Sequence, residues 1–251
     1  MIKTSMLSRN FGGLVAIDAL SIDINKGELF GIIGPNGSGK TTLFNMLTGF
    51  LQPSSGSVFV AGEQISKLRP EDLVKLGIAR TFQVVRFNKE ATVRETVWAA
   101  QASNIGIRGL WRPMYADSET ILRAEVDKIL KSTWLTEHAD RLAGELPFGL
   151  LRQLEIARAL ATRPKVILMD EPASGMNPTE TEQLTQDIRR LNETGLTIVL
   201  VEHHIEMVMK LCTRVCVLNF GKQIAIGSPD EVKSNPRVIE AYLGTKAVAH
   251  A

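Results

Sequence analysis

Residues 34–42 read Gly-Pro-Asn-Gly-Ser-Gly-Lys-Thr-Thr, between an apolar run at 29–33 and a helix-compatible stretch at 42–47. The order is strand, glycine-rich loop, helix. The spacing G-x-x-x-x-G-K-[ST] brings successive backbone N–H groups around a phosphate chain, and the helix N-terminus adds its partial positive charge. On this reading Lys40 reaches the β- and γ-phosphates and Thr41 places its hydroxyl on Mg²⁺. Gly34, Gly37 and Gly39 allow backbone geometry that a Cβ would obstruct. The alternative, a glycine-rich turn that happens to precede a helix, is disfavoured by the strand and helix patterns on either side.

The 251 residues suffice for a large core without a metal or disulfide staple, either as one domain or as a core with an inserted subdomain. Lys plus Arg (29) nearly balance Asp plus Glu (27), and no basic tract occurs, so no nucleic-acid partner is expected. The longest apolar runs, such as 166–169 and 196–201, are strand-length, far short of the ~20 residues that cross a bilayer. Residues 1–6 lack the apolar segment and cleavage site of a secretory signal, and a cytosolic location is expected. Cys212 and Cys216 have no companion Cys or His cluster at metal-ligand spacing, so buried reduced thiols are expected.

Residues 19–25 and 56–61 alternate apolar and polar and predict strands of an antiparallel part. Phe11 stands before them, either as core filler, which the pattern alone favours, or as a platform for a base. Residues 70–77 predict a short helix, with proline and acids at its start and glycine at its end. A strand over 78–82 then delivers Gln83. From 84 to 146 helix formers dominate, broken by a loop-like stretch at 105–113. Within 119–134, Ile121, Leu122, Val126, Ile129 and Leu130 share one face. This span reads as an inserted helical subdomain, and core is the expected place for Trp98, Trp111 and Trp134.

A helix is predicted over 151–161, then a strand over 166–169 with no exposed face, followed directly by Asp170 and Glu171. Acids at the C-terminal end of such a strand lie where a parallel α/β sheet places ligand chemistry. A phosphate site needs one acid to orient Mg²⁺ and one to polarise water. The pattern continues with a helix over 178–192, a buried strand over 197–201 and the triplet Glu202-His203-His204 at its end. A His pair alone would be incidental. A methionine-bearing helix, a strand over 214–219, a turn at Gly221, a strand over 223–226, helix starts at Ser228 and Asn235, and a frayed tail at 245–251 complete the chain.

The phosphate loop, Gln83, the segment 146–160, Asp170-Glu171, Asn177 and His203 occur in one fixed order that resembles the ATP-binding subunit of ABC transporters. Within that family the stretches 47–50, 80–83, 154–158, 175–178, Glu202-His203 and 235–244 are most similar to the ATPases of branched-chain amino-acid uptake. Related ATPases for urea, amides or lipid export share much of this pattern. The resemblance implies an α/β fold: a P-loop NTPase core with a mixed sheet, an antiparallel β subdomain and an inserted helical subdomain at 84–146, all in one ABC ATPase domain, 1–251.

The resemblance also implies roles. Phe11 would stack on adenine, and Asn36, Gly37, Ser38, Gly39, Lys40, Thr41 and Thr42 would hold the phosphates of ATP. Thr41, Gln83 and Asp170 would serve Mg²⁺ directly or through water. Glu171 would be the general base and His203 would contact the γ-phosphate. Gly149 would face nucleotide held by a second ATP-binding subunit. Partners would be integral membrane permease subunits, that second ATPase and, indirectly, a solute-binding protein, at the cytoplasmic face of the membrane.

The family's usual Leu-Ser-Gly-Gly-Gln signature is here Leu146-Pro147-Phe148-Gly149-Leu150, which favours a heterodimer over a homodimer. Asn177 and His204 stand where Asp is frequent. Two rivals are a soluble ABC ATPase acting on ribosomes or DNA, whose tandem halves or long coiled-coil insertions this chain lacks, and a regulatory subunit that hydrolyses slowly.

Overall fold

The computed structural model describes residues 1–81, 88–102 and 115–247. Its two kinds of strand follow from two kinds of apolar run. Runs that mix apolar and polar residues become antiparallel strands with part of each exposed, β1 (Ile2–Phe11), β2 (Leu14–Leu20), β3 (Asp23–Ile24) and β5 (Ser55–Val60), joined by the short exposed β6 (Glu63–Gln64). They form one sheet in the order β2-β1-β5-β6, with β3 also paired to β1. Unbroken runs become strands with every residue buried: β4 (Leu29–Ile33), β8 (Val166–Asp170) and β9 (Thr197–Val201). These occupy the middle of a second sheet ordered β11-β10-β4-β9-β8-β7. There β7 (Ile78–Arg80) is parallel to β8, β10 (Arg214–Asn219) is parallel to β4, and β11 (Lys222–Gly227) is antiparallel to β10 at the edge. The sheet is therefore mixed, as expected.

Helices cover both faces because the central strands send alternate side chains to opposite sides. Val166 and Leu168 join Phe30, Val199 and Val201 in one core, with Leu43 and Phe44 of α1 (Lys40–Leu47). Ile167 and Met169 join Leu29, Ile198 and Leu200 in another, with Ile188 of α6 (Pro178–Glu193) and Val208 of α7 (Ile205–Leu211). Each fully buried Leu, Ile or Phe in these layers contributes roughly 1.5–3 kcal/mol. A third cluster joins Val93 and Val97 of α3 (Val93–Ala102) to Val126 and Leu130 of α4 (Tyr115–Ser132) and Leu154 and Ala157 of α5 (Phe148–Ala161). Helix α5 also lends Ile156 and Ala159 to the second core, so it joins the helical cluster to the sheet. The remaining helices are α2 (Pro70–Lys75), α8 (Pro229–Ser234) and α9 (Pro236–Ala247).

Several expectations are corrected. The strand predicted over 19–25 is two pieces, β2 ending at Leu20 and β3 at Asp23–Ile24, and β1 lies ahead of both. Helix α5 starts at Phe148, earlier than 151, because Pro147, with φ −63° and ψ 159°, serves as its N-cap. Of the tail expected to fray, 245–247 belong to helix α9, and 248–251 lie outside the described residues. Trp98 and Trp134 are not core residues: both are exposed, and Arg190 stacks on Trp134 with its guanidinium 5.1 Å from the ring centroid. Phe11 is likewise exposed, at 46 %, with the Arg9 guanidinium 4.7 Å from its ring centroid, which overturns the core-filler reading. Gln83, Trp111, the end of the predicted strand at Phe82 and the predicted loop over 105–113 lie outside the described residues.

Candidate functional site

Strands β4, β9 and β8 are adjacent and parallel, so their C-terminal ends bring three distant stretches of chain together. The phosphate loop leaves β4, Glu202 and His203 leave β9, and Asp170 closes β8 with Glu171 next. The register pairs Asp170 with Val201, and the Glu171 N–H donates to Val201 O at 2.8 Å. Residues 171 and 203 thus leave neighbouring strands side by side.

The loop's shape explains its glycines. Gly39 has φ +102°, and a Cβ there would lie 2.5 Å from Ala16 O and 2.7 Å from the Ile17 methyl. A Cβ on Gly34 would lie 2.2 Å from Leu218 O. Lys40, only 5 % exposed, donates from Nζ to Gly34 O at 2.7 Å and Pro35 O at 3.0 Å. Burial lowers its pKa below the ordinary lysine value, and the nearby Glu171 charge partly opposes this. Ser38 Oγ is buried with no hydrogen-bond partner among the described residues, a polar atom in a loop whose chemistry suits phosphate oxygens. Thr41 and Asn36 are exposed at the mouth of the loop. The loop is braced from below, where Gly221 N–H donates to Ser38 O at 3.0 Å. Burial pushes the pKa of the Tyr242 phenol on α9 up to about 12, and the Gly34 backbone N–H partly opposes that rise.

Asp170 is buried, and Arg80 NH2 donates to its Oδ2 at 2.9 Å. Burial raises its pKa above the usual carboxylate range, and the Arg80 charge and hydrogen bond pull against that rise. Glu171 takes a left-handed backbone, φ +47°, unusual for a residue with a Cβ and costing about 1–3 kcal/mol, as is common where geometry serves a site. Its Oε1 accepts from His203 Nε2 at 2.7 Å. Glu202 was given no role from sequence, yet it is 2 % exposed and binds three backbone N–H groups. Its Oε1 accepts from Ala173 at 2.8 Å, and its Oε2 accepts from His203 at 2.8 Å and His204 at 3.2 Å. It therefore fastens the turn after Glu171 to the turn that carries His203. No one-dimensional pattern marks that link, because Ala173 lies 29 positions away.

Not every expected residue joins this cluster. Gly149 and Pro147 line a separate shallow groove with Leu150, Gln153, Met176 and Glu180, from α5, α6 and the turns that lead into them. Asn177 makes a capping box with Glu180 at the start of α6. A cavity of about 810 Å³ runs between α2 with β7 and α3 with α5, where Phe50, Arg80 and Trp98 line it. Asp170 and Thr41 supply a carboxylate and a hydroxyl, the hard oxygen donors that Mg²⁺ takes together with water and phosphate oxygens.

The profile of the family described as "ABC transporter" matches residues 17–174, more than half of the chain. The chain belongs to the ABC transporter family. A second profile, "Branched-chain amino acid ATP-binding cassette transporter", matches residues 222–248. Among ABC relatives, the high-affinity branched-chain amino acid transport ATP-binding protein BraF of Pseudomonas aeruginosa is 40 % identical over 249 residues, covering 97 % of this chain and 98 % of that protein. The corresponding protein LivG of Escherichia coli (strain K12) is 39 % identical over 251 residues, with the same coverages. Of solved structures, the ADP conformation of an ATP-binding cassette of an ABC transporter superposes with a TM-score of 0.86 at 35 % identity, covering 97 % of this chain and 98 % of that one. A dimeric bacterial ABC transporter cassette gives 0.75 at 26 %, covering 91 % and 99 %. ABC ATPases bind and hydrolyse ATP, and a transporter of this kind joins a pair of them to membrane permease subunits. No described helix of this one is long and apolar enough to cross a membrane.

Proposed function

We propose that this chain is the ATP-hydrolysing subunit of an importer of branched-chain amino acids, held peripherally at the cytoplasmic membrane face by its permease. The observation that carries the chemistry is the Glu171–His203 contact of 2.7 Å, in a cluster where Lys40 and Glu171 feel each other's charge. The amino-acid cargo is supported by the names of the relatives and by the C-terminal profile.

Asn36 to Thr42 hold the phosphates, and the exposed Phe11 ring offers a face to adenine. Asp170, Thr41 and Gln83 hold Mg²⁺, which neutralises charge on the phosphates when bound. Glu171 orients the attacking water and accepts its proton as the new P–O bond forms and the bond from the γ-phosphorus to the β,γ-bridging oxygen breaks, leaving ADP and phosphate. His203 holds the Glu171 carboxylate through Nε2–H and contacts the γ-phosphate, while Lys40 and backbone N–H groups stabilise the charge that develops in transfer. Gly149 faces nucleotide on a second ATPase, and Pro147 in place of serine favours a non-identical partner. Residues 84–146 form an inserted helical arm of the single domain 1–251. The cavity beside it, with Trp98 and Phe50 in its wall, receives the permease. A solute-binding protein acts on the far side of the membrane.

Equilibrium binding of ATP to the purified protein and to Lys40→Ala tests the site. The variant should lose most of its affinity, because a buried ammonium facing phosphate is removed. Equal binding and hydrolysis by both forms would refute the assignment. Uptake of labelled leucine by cells carrying the deleted gene, with and without the parent protein, tests the cargo.

A further inference from the structure

We propose that Arg80 is a positioning residue for the metal site, setting the Asp170 carboxylate against the helix that carries Thr41. The inference rests on the reading of Asp170 and Thr41 as Mg²⁺ ligands and adds a residue to it. Strand β7 is only three residues long, at the sheet edge, and Arg80 is its last. Its Cα pairs with Leu168, two residues before Asp170, so its side chain runs toward the end of β8.

Among the described residues, the guanidinium donates to groups on two elements. NH2 donates to Asp170 Oδ2 at 2.9 Å, while NH1 donates to Asn45 Oδ1 at 2.7 Å and Thr48 Oγ1 at 3.0 Å. Asn45 and Thr48 lie on α1 and at its C-cap, and α1 is the helix whose second residue is Thr41. Two rings fix the plane of the fork, Phe44 at 4.7 Å and Phe50 at 5.1 Å from the guanidinium carbon. The side chain is 12 % exposed, as is that of Asp170.

This is more than charge balance. A lone counter-ion for a buried carboxylate needs no particular shape, and a lysine would serve. A planar fork held against two phenyl rings, with one arm on Asp170 and the other on α1, fixes the distance between the two elements that supply metal ligands. It also commits Oδ2 and so sets the direction of Oδ1. Partners that orient metal ligands from behind change metal affinity by about 10- to 100-fold when removed.

The test is a Mg²⁺ titration of the purified full-length protein at a fixed concentration of a non-hydrolysable ATP analogue, reading nucleotide affinity. Arg80→Met keeps an apolar stem beside the rings and removes the fork, and Arg80→Lys keeps the charge alone. Without Mg²⁺ both should bind the analogue within about threefold of the parent, because the phosphate loop is untouched. The Mg²⁺ concentration that gives half of the metal-dependent tightening should rise about 10- to 100-fold in Arg80→Met and at least threefold in Arg80→Lys. An unchanged midpoint in the folded variants makes Arg80 structural only, and a lower one makes it a competing cation; either overturns the proposal. Should Arg80→Met fail to fold, the Arg80→Lys midpoint decides. A parent that binds nucleotide but shows no Mg²⁺ effect removes the metal site itself, and this role with it, while leaving the phosphate loop standing.

Discussion

Glu202→Gln isolates the link between the base-bearing turn and the histidine. The carboxylate receives three backbone N–H groups, one on Oε1 and two on Oε2. An amide has one oxygen, so at best Gln keeps the His203 and His204 bonds and turns its NH₂ toward the Ala173 N–H, donor against donor. A hydrogen bond to a charged group contributes about 1.5–3 kcal/mol, and losing one leaves a buried donor unpaired. For a chain of this size that corresponds to a fall in melting temperature of about 3–12 °C. The larger effect should be on turnover. Strand β9 carries His203 and β4 carries the phosphate loop, so kcat should fall about 10- to 100-fold from misplacement of His203 against Glu171, while ATP affinity stays within about threefold. Thermal unfolding, equilibrium ATP binding and steady-state phosphate release on the same preparations measure all three. A variant with the parent's kcat and melting temperature would show that the three N–H groups find other partners and that the link is dispensable. A kcat and an affinity that fall together would point to general loosening instead.

Glu171→Gln should bind ATP as the parent does and lose at least 100-fold in turnover, since the amide cannot take the water's proton; a phosphate-release rate near the parent's would remove Glu171 from the base role. Pro147→Ser should raise hydrolysis by the homodimer about 10- to 100-fold by restoring a hydroxyl toward the partner's nucleotide, and brisk turnover without it would sink the asymmetric model. Because Pro147 is the N-cap of α5, the same serine can also cap the helix for about 1 kcal/mol, so unfolding must be measured beside the rate. Single cysteines at Ala91 and Ala99, on the rim of the large cavity, should crosslink to the permease in membranes, whereas crosslinks confined to α8 and α9 would place docking elsewhere.

Where the period of the sequence was clean, the fold could be read from it. The strands at 197–201 and 214–219 need no correction, since each is built on a short unbroken apolar run, 198–201 and 215–218, with polar residues at one or both ends. Strand β1 escaped notice because its period slips. Met6 takes φ +47°, the pairing with β5 shifts between Ser5 and Ser8, and the buried residues fall at Ile2, Thr4 and Leu7 instead of every second place. Ala19, at φ +49°, does the same to β2 and blurred the reading of 19–25. The loop, Asp170 and Glu171 were legible because their chemistry is local. Arg80 and Glu202 were not, since their roles exist only once β7, β8 and β9 lie side by side. Phe11 shows the opposite failure: the pattern favoured burial, but the β1–β2 hairpin ends in solvent and leaves the ring outside.

The two thiols differ in what they can report. Cys212 caps α7 at 6 % exposure, whereas Cys216 lies inside β10 and is fully buried; burial raises both pKa values, that of Cys216 to about 12. A disulfide reagent should therefore reach Cys216 only when β10 parts from its neighbours. The rate at which a small disulfide labels Cys216 would count those openings of the central sheet, with and without nucleotide, while Cys212 is the thiol to replace before cysteines are engineered at the surface.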